Sequence, residues 1–455
     1  MNQNEICEKR YTNYNHLKTS VLNFTWENLY AIRDVNRSFD FFLQTLSYHV
    51  VESTKIVKPK QKLIKQNWIT SDLLKELKIK NETFKIWKND IHNVQKEMDF
   101  KSFKNRLINK IKQQKKKFFA EKIASNSNDT KTLWKTVNNV CKVSYEDKTI
   151  SAIKTDDGKE IKDESEIANT FNDYFSSVGS NLAKNILKPT PNTANLKEKH
   201  IPNTLVFQEI YPSEVERVIH SLKNKKAPGM DNIKAELLKK VAKEIAEPLA
   251  YISNLSAETG VFPSHFKSGI VKPLFKNGDK QKIFNYRPIT LISCFAKIIK
   301  VRFTSFFDKY KLISKKQFGF SKHLSTEDAI DSVLRQIYAS LDKSKPCFGG
   351  FLDLAKAFDT VCHKTLLRKL QNYGFRENIL KLLESYLENR MQYVKIGKCQ
   401  SRANKITYGV PQGTVLGPLL FILYLNDILE LDIKGFMASF ADDGVIIFNA
   451  NSWSE

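Results

Sequence analysis

Three aspartates, Asp353, Asp442 and Asp443, sit where a globular protein has no routine use for a carboxylate. Asp353 interrupts CFGGFLDL, residues 347–354, a short Phe/Leu run that predicts a buried strand. Side chains alternate along a strand, so Asp353 shares a face with Phe351, opposite Leu352 and Leu354. A carboxylate there is costly unless it is solvated, paired or bound to metal. The other two lie in GFMASFADDGVIIF, residues 435–448, where two apolar stretches flank Ala-Asp-Asp-Gly. Asp-Gly predicts a tight hairpin turn, with Gly444 accepting positive φ. Such a turn lifts Asp442 and Asp443 to the rim of a hydrophobic sheet. Beside a strand that bears a third acid, the hairpin could hold two hard cations. Magnesium takes few carboxylates together with water and substrate phosphates. Two ions roughly 3.5–4 Å apart can activate a 3′-hydroxyl and stabilise a leaving pyrophosphate. Taken alone, an Asp-Asp-Gly doublet is most often a plain surface turn, so its weight depends on its companions.

Those companions follow in order. YGVPQG, residues 408–413, precedes the apolar run TVLGPLLFILYLNDI. Gly409 and Gly413 let a backbone approach a ligand closely, and Gln412 can hydrogen-bond a sugar or base. Upstream, Lys276-Asn277-Gly278-Asp279 precedes Asn285-Tyr286-Arg287-Pro288-Ile289. Lys276 and Arg287 could grip a triphosphate, the arginine through its fork of donors. Each fragment read singly is a turn with exposed charge.

The elements that must position these groups fall into two regions. Residues 1–200 are polar and rich in Asn and Lys, and predict helices with loose connections. Residues 101–122, KSFKNRLINKIKQQKKKFFAEK, carry nine basic side chains and one acidic. Phe103, Leu107, Ile108 and Ile111 recur there at helical spacing. That segment fits a helix lying along a phosphate backbone and, equally, a solvated helix packed by one face. Pro189, Pro191 and Pro202 mark a linker near 185–203. From about 205 the pattern tightens. Val215, Val218, Ile219 and Leu222 make a helical stripe, a loop with Pro228-Gly229 ends it, and a helix restarts near Ile233. Alternating short strands and helices then predict an α+β or α/β layer, one sheet backed by helices.

Composition narrows the partners. The 455 residues, 41% of them hydrophobic, can bury a large core and suffice for two or three domains. A net charge of +24 calls for a polyanionic partner or strong solvation; nucleic acid gains from counterion release by Lys and Arg, and a membrane surface is its competitor. No apolar run approaches the ~20 residues that span a bilayer, and residues 1–30 do not read as a secretory signal. Six scattered cysteines without a CxxC pair argue against a disulfide framework or a zinc site.

Together, KNKKAPGMDNI, VKPLFKNGD, NYRPITLISCFAKIIK, KKQFGFSKHLST, FLDLAKAFDTV, YGVPQGTVLGPLLFILYLNDI and FADDGVII resemble the reverse transcriptases of non-LTR, LINE-type retrotransposons of the jockey-like kind. They run in that family's order from about 223 to 448. More loosely, residues 67–140 are similar to the helical linker that precedes the polymerase. The resemblance implies a right-hand polymerase with fingers and palm, an antiparallel palm sheet backed by helices, preceded by a mostly helical basic region. The expected partition is a linker region over 1–200 and a reverse transcriptase domain over 201–455. It also implies RNA-directed DNA synthesis with two Mg2+ ions, Mn2+ being a substitute. Asp353, Asp442 and Asp443 would be the metal ligands and the catalytic acids. Lys276 and Arg287 would hold the nucleotide's phosphates, Phe358 would block a ribose 2′-hydroxyl, and Gln412 and Gly413 would contact nucleotide and template. Asp359 reads as structural. The implied partners are an RNA template, a DNA primer or target and dNTPs, in nucleus and cytoplasm, with no membrane. Relatives often carry Tyr where this chain has Phe440, and Asp-His where it has Cys362-His363. The chain stops at Glu455, so the remaining palm motifs, primer grip and thumb are expected to be missing, and an endonuclease before the polymerase is likewise expected to be absent. The competing reading is a truncated, inactive remnant that only binds nucleic acid. A maturase-like or telomerase-like cellular relative fits the motifs less well.

Overall fold

A computed structural model describes residues 9–57, 68–125, 129–140, 150–155, 157–185, 201–224, 228–231, 233–291, 296–414 and 416–450. The chain mixes helices and sheets, and its contacts divide it into two compact units.

The smaller unit holds residues 1–10 and 56–149. Its helices α3 (Ser71–Lys88) and α4 (Val94–Ala124) begin at side-chain caps. The Thr70 hydroxyl accepts from Leu73 N, and the Asn93 carbonyl oxygen accepts from Lys96 N. Leu73, Phe100 and Leu107 are buried, and the Trp87 and Phe100 rings stack at 5.4 Å and 10°. The helix expected over 101–122 is therefore present as part of α4.

The larger unit holds residues 11–55 and 150–455. Helices α1 (Tyr14–Leu22) and α2 (Val35–Glu52) bury Leu17, Val21, Phe39, Phe42 and Leu46 in one core with α6 (Pro212–His220) and α7 (Ala242–Thr259). Helices α9 (His363–Asn372), α10 (Glu377–Leu387) and α11 (Gly417–Leu429) complete that core. A polar N-terminal composition hid this, because only one stripe of each helix needs to be apolar. The expected stripe Val215, Val218, Ile219 and Leu222 is buried in the same core. The next helix begins at Ala235. The linker expected near 185–203 lies almost wholly outside the described residues.

Two sheets matter for the site. The first contains β1 (Ser268–Phe275), β2 (Tyr286–Leu291), β4 (Arg390–Ile396), β5 (Cys399–Gln400) and β6 (Asn404–Ile406). Its order is β6-β4-β1-β2, with β5 also on β4. β1 and β4 run parallel, and the other pairs are antiparallel. Helix α5 (Glu164–Lys184) covers it, packing Ile167, Phe171 and Phe175 with Val271, Tyr286, Val394 and Ile396. The second sheet is antiparallel throughout, in the order β7 (Phe436–Phe440), β8 (Asp443–Asn449), β3 (Cys347–Asp353). Helix α8 (Thr326–Leu341) packs on it through Ala329, Val333 and Ile337. A reciprocal cap between Ser325 and Asp328 starts α8.

The strand expected over 347–354 exists, but it is not buried. β3 is an edge strand of its sheet, and Phe351 is 82% exposed. Apolar composition marked a strand correctly and misjudged its cover, because burial depends on what packs above it.

Candidate active site

Antiparallel pairing of β3 with β8 sets Asp353 directly opposite Asp443. Cross-strand partners have Cβ atoms about 4.5–5.5 Å apart. Two opposed carboxylates repel, and both are exposed; among the described residues neither forms an ion pair. Asp442 is half-buried in the two-residue turn between Phe440 and Asp443, which pair with each other.

The turn differs from the expected one. Positive φ falls on Ala441, at 60°, while Gly444 lies within β8 opposite Leu352. A left-handed alanine costs about 1–2 kcal/mol, so something must hold it. Gln317 does so: its Oε1 accepts from Ala441 N at 3.0 Å and from Gly319 N at 2.8 Å. Ser439 Oγ donates to Ala441 O at 2.9 Å. Backbone bonds from Phe318 N to Ser439 O and from Ser439 N to Lys316 O tie the two segments together. A Cβ on Gly319 would sit 2.2 Å from Ala441 N. The QFG segment thus fixes the aspartate turn, a role its sequence gave no local signal for.

Among the described residues no group of three or more His, Cys, Asp or Glu is gathered as a ready-made metal cradle. Asp353 and Asp443 are brought together, and Asp442 stands beside them on the turn. This donor set still fits magnesium, which uses one or two carboxylates and completes its shell with water and phosphate oxygens. The uncompensated Asp353–Asp443 pair is the observation that makes room for a cation.

The cations come from the other sheet. Lys276 and Arg287 are exposed beside the β1–β2 connection, where Lys276 N donates to Asn285 O at 2.9 Å and Leu274 pairs with Arg287. Lys356, which sequence reading left without a role, reaches the same connection. Its Nζ donates to Phe284 O at 3.1 Å and lies 5.6 Å from the centre of the Tyr174 ring. Lys356 follows the carboxylate strand and has a left-handed φ of 51°. Burial pushes its ammonium pKa down, nearby Asp359 pulls it up, and Lys276 and Arg287 push it down again. Three cations therefore converge, and none forms an ion pair among the described residues. The signal for Lys356 was its place in FLDLAKAFD, between two aspartates on a tight turn.

The loop 409–413 joins the two regions. Gly409 N donates to Val361 O, Val410 N to Phe358 O, and Thr290 N to Gln412 O, each at 2.8 Å. Gly409 and Gly413 have φ of 86° and 85°, and a Cβ on Gly409 would lie 2.8 Å from Asp359 backbone. Gln412 is half-buried and Gly413 exposed. Phe358 is buried, its ring stacked on Phe421 at 4.2 Å between centroids and edge-on to Phe320 at 6.0 Å. Asp359 is enclosed by this loop and α5. Its Oδ2 is buried without a hydrogen-bond partner among the described residues, and burial raises its pKa to about 6 against a pull downward from Lys356. It lines a cavity of about 20 Å³ together with Gly179, Thr290, Tyr408 and Gln412, room for one water-sized group.

Residues 276–453 match the family described as Reverse transcriptase (RNA-dependent DNA polymerase). The chain is 27% identical over 364 residues to a probable RNA-directed DNA polymerase from transposon BS of Drosophila melanogaster, covering 77% of this chain and 40% of that protein. It is 33% identical to the probable polymerase from transposon X-element of the same species, over 52% of this chain and 27% of the relative. Against the RNA-directed DNA polymerase from mobile element jockey, also of Drosophila melanogaster, it is 30% identical over 55% of this chain and 28% of the relative. The chain thus spans less than half the length of these relatives. A telomerase from Candida tropicalis overlays at a TM-score of 0.30 and 14% identity, over 77% of this chain and 79% of that one, too slight a likeness to argue from.

Proposed function

We propose, from a chain whose residues 276–453 carry a reverse transcriptase domain akin to those of non-LTR transposons, that this protein extends a DNA primer on an RNA template. The observation that carries the reading is the Asp353–Asp443 pair, flanked by Asp442 on its clamped turn. In this reading the second sheet is the palm and the first sheet belongs to the fingers. The basic helical unit is the linker-type region that precedes them.

Asp353, Asp442 and Asp443 would hold two magnesium ions, which when bound supply a polarised 3′-hydroxyl and charge neutralisation at the phosphates. The rest falls to the chain's own groups. Lys276, Arg287 and Lys356 bind the nucleotide's triphosphate and keep its α-phosphorus in line with the primer terminus. The primer 3′-hydroxyl gives up its proton to water, a bond forms from its oxygen to that phosphorus, the bond to the bridging oxygen breaks, and pyrophosphate leaves. Gln412 and Gly413 border the nucleotide and template, with the φ of Gly413 allowing close approach. Phe358 supports that floor from below, where its bulk disfavours a ribose 2′-hydroxyl.

The test is primer extension by the full chain on an RNA template with dNTPs and Mg2+, or Mn2+, beside the Asp442→Ala variant. Incorporation that disappears with the substitution is expected. Synthesis that survives it, or none from the unaltered chain, overturns the reading, and the latter favours a remnant that only binds nucleic acid.

A further inference from the structure

Between residues 101 and 117 the side of α4 turned to solvent carries charge of one sign. Residues 101–117 contain eight Lys or Arg and no Asp or Glu. Lys104, Asn105, Arg106, Asn109, Lys112, Gln113, Lys116 and Lys117 are all exposed. Helical geometry places Asn105, Asn109, Lys112 and Lys116 along one stripe, with Lys104 and Lys117 on its two flanks. Lys101 pairs with Glu97 and Lys110 with Glu76. Lys104, Lys112, Lys116 and Lys117 form no ion pair among the described residues.

A helix that is merely solvated alternates its charges and gains from opposite pairs at i,i+4. Here Lys112 and Lys116 face each other at that spacing and repel, a cost of a few tenths of a kcal/mol left unrelieved. A membrane-surface helix needs a free apolar face. Along the basic stretch most of the apolar face of α4 is withdrawn instead: Phe100 and Leu107 are buried, Phe103 and Ile111 half-buried, Phe100 stacks on Trp87 of α3, and Ile108 alone is exposed among the apolar side chains of residues 100–117. What fits is an extended polyanion. The interleaved Asn and Gln amides both donate and accept, which suits phosphate and sugar oxygens. From Lys101 to Lys117 the helix runs about 24 Å, alongside about fourteen phosphate charges of a duplex.

We propose that this face of α4 docks the sugar-phosphate backbone of a nucleic acid. The surface belongs to the smaller unit and does not rest on the polymerase reading, since a chain unable to synthesise DNA would still bind through it.

The test measures fluorescence anisotropy of labelled single-stranded RNA, duplex RNA and duplex DNA with the full chain, over a range of NaCl. The variant is Lys112→Gln/Lys116→Gln/Lys117→Gln. A control, Lys234→Gln/Lys243→Gln/Lys381→Gln, removes equal charge from exposed lysines of the larger unit. The logarithmic salt slope is expected to shrink by about 2 for a single strand and nearly 3 for a duplex, with affinity about tenfold or more weaker near 0.15 M. The nucleic acid whose slope falls most identifies the source of the backbone. An equal fall in the control, or an unchanged slope with all three probes, overturns the proposal. The substituted side chains are exposed, and the single Lys116→Gln variant, expected to lose about one contact, covers the case in which the triple variant misfolds.

Discussion

The first sheet is closed over by α5, and its inward side chains include Arg390 and Gln392 as well as Val394 and Ile396. Gln392 donates to Asn172 Oδ1 at 2.9 Å, and Asn172 donates to the backbone oxygen of Arg402 at 2.8 Å. The second sheet is covered by α8 on Ala438, Val445 and Ile447, yet its edge strand β3 is open and ends in an unpaired acid. The first sheet spends its polar groups on holding itself together and offers cations at one connection. The second leaves its carboxylates uncompensated at a rim. Polar groups that satisfy each other give rigidity, whereas groups left without partners are available to a ligand. The short segment from Asp353 to Asp359, with Lys356 in its middle, carries both kinds of charge.

Substitutions that separate the two roles sharpen this contrast. The largest effect is expected from Asp353→Asn, which should lower single-nucleotide incorporation by about 10²- to 10³-fold and leave the circular dichroism spectrum unchanged. Retained turnover would break the assignment of the second sheet as the catalytic one. Next, Lys356→Gln should raise KM for dNTP by about ten- to a hundredfold, the value of a hydrogen bond to a charged group. A fall in kcat at constant KM would instead place Lys356 with the acids. Gly179→Ala probes the cover of the first sheet. Its Cβ would fall 1.9 Å from Asp359 O, and chemical denaturation should show a loss of about 1–3 kcal/mol or more.

Asp359 gives a smaller, pH-dependent effect. Its folded pKa of about 6 lies above the ordinary 3.8, so the folded state holds its proton to higher pH than the unfolded chain does. The penalty for ionising it is absent below about pH 4, grows from about 4 to 6, and is complete above about 6. Asp359→Asn should therefore gain stability over the unaltered chain at pH 8, with a ceiling of about 3 kcal/mol, and lose that gain as the pH falls to 4. Equal shifts at both pH values would show that the carboxyl is not the burdened group. Phe351→Ser, at the open edge of the second sheet, should change stability by no more than about 0.5 kcal/mol. A large loss would mean that the edge is covered in solution.

Much of the site was legible from short segments. FADDGVII predicted a hairpin, and β7 and β8 form one. TVLGPLLFILYLNDI predicted an apolar helix, and α11 forms over Gly417–Leu429. The position of the turn was not legible, because the sequence favours Gly444 for positive φ and the clamp from Gln317 moves it to Ala441. The burial of β3 was misread for a related reason: a strand's composition does not say whether it stands at an edge. The stacking of the Phe358 ring on Phe421 was not legible either, because it joins segments distant along the chain.

By itself the sequence determined which groups have chemistry to offer: three acids, the Lys276 and Arg287 cations, the glycine-bearing loop and a strongly basic helix. These are properties of residue type and local period, which neighbouring positions suffice to express. Only the tertiary structure decided that Asp353 faces Asp443, that Gln317 holds their turn, that Lys356 joins the cations, and that Asp359 is shut away. Each of those depends on contacts between segments distant along the chain, set by strand register and by which helix covers which sheet.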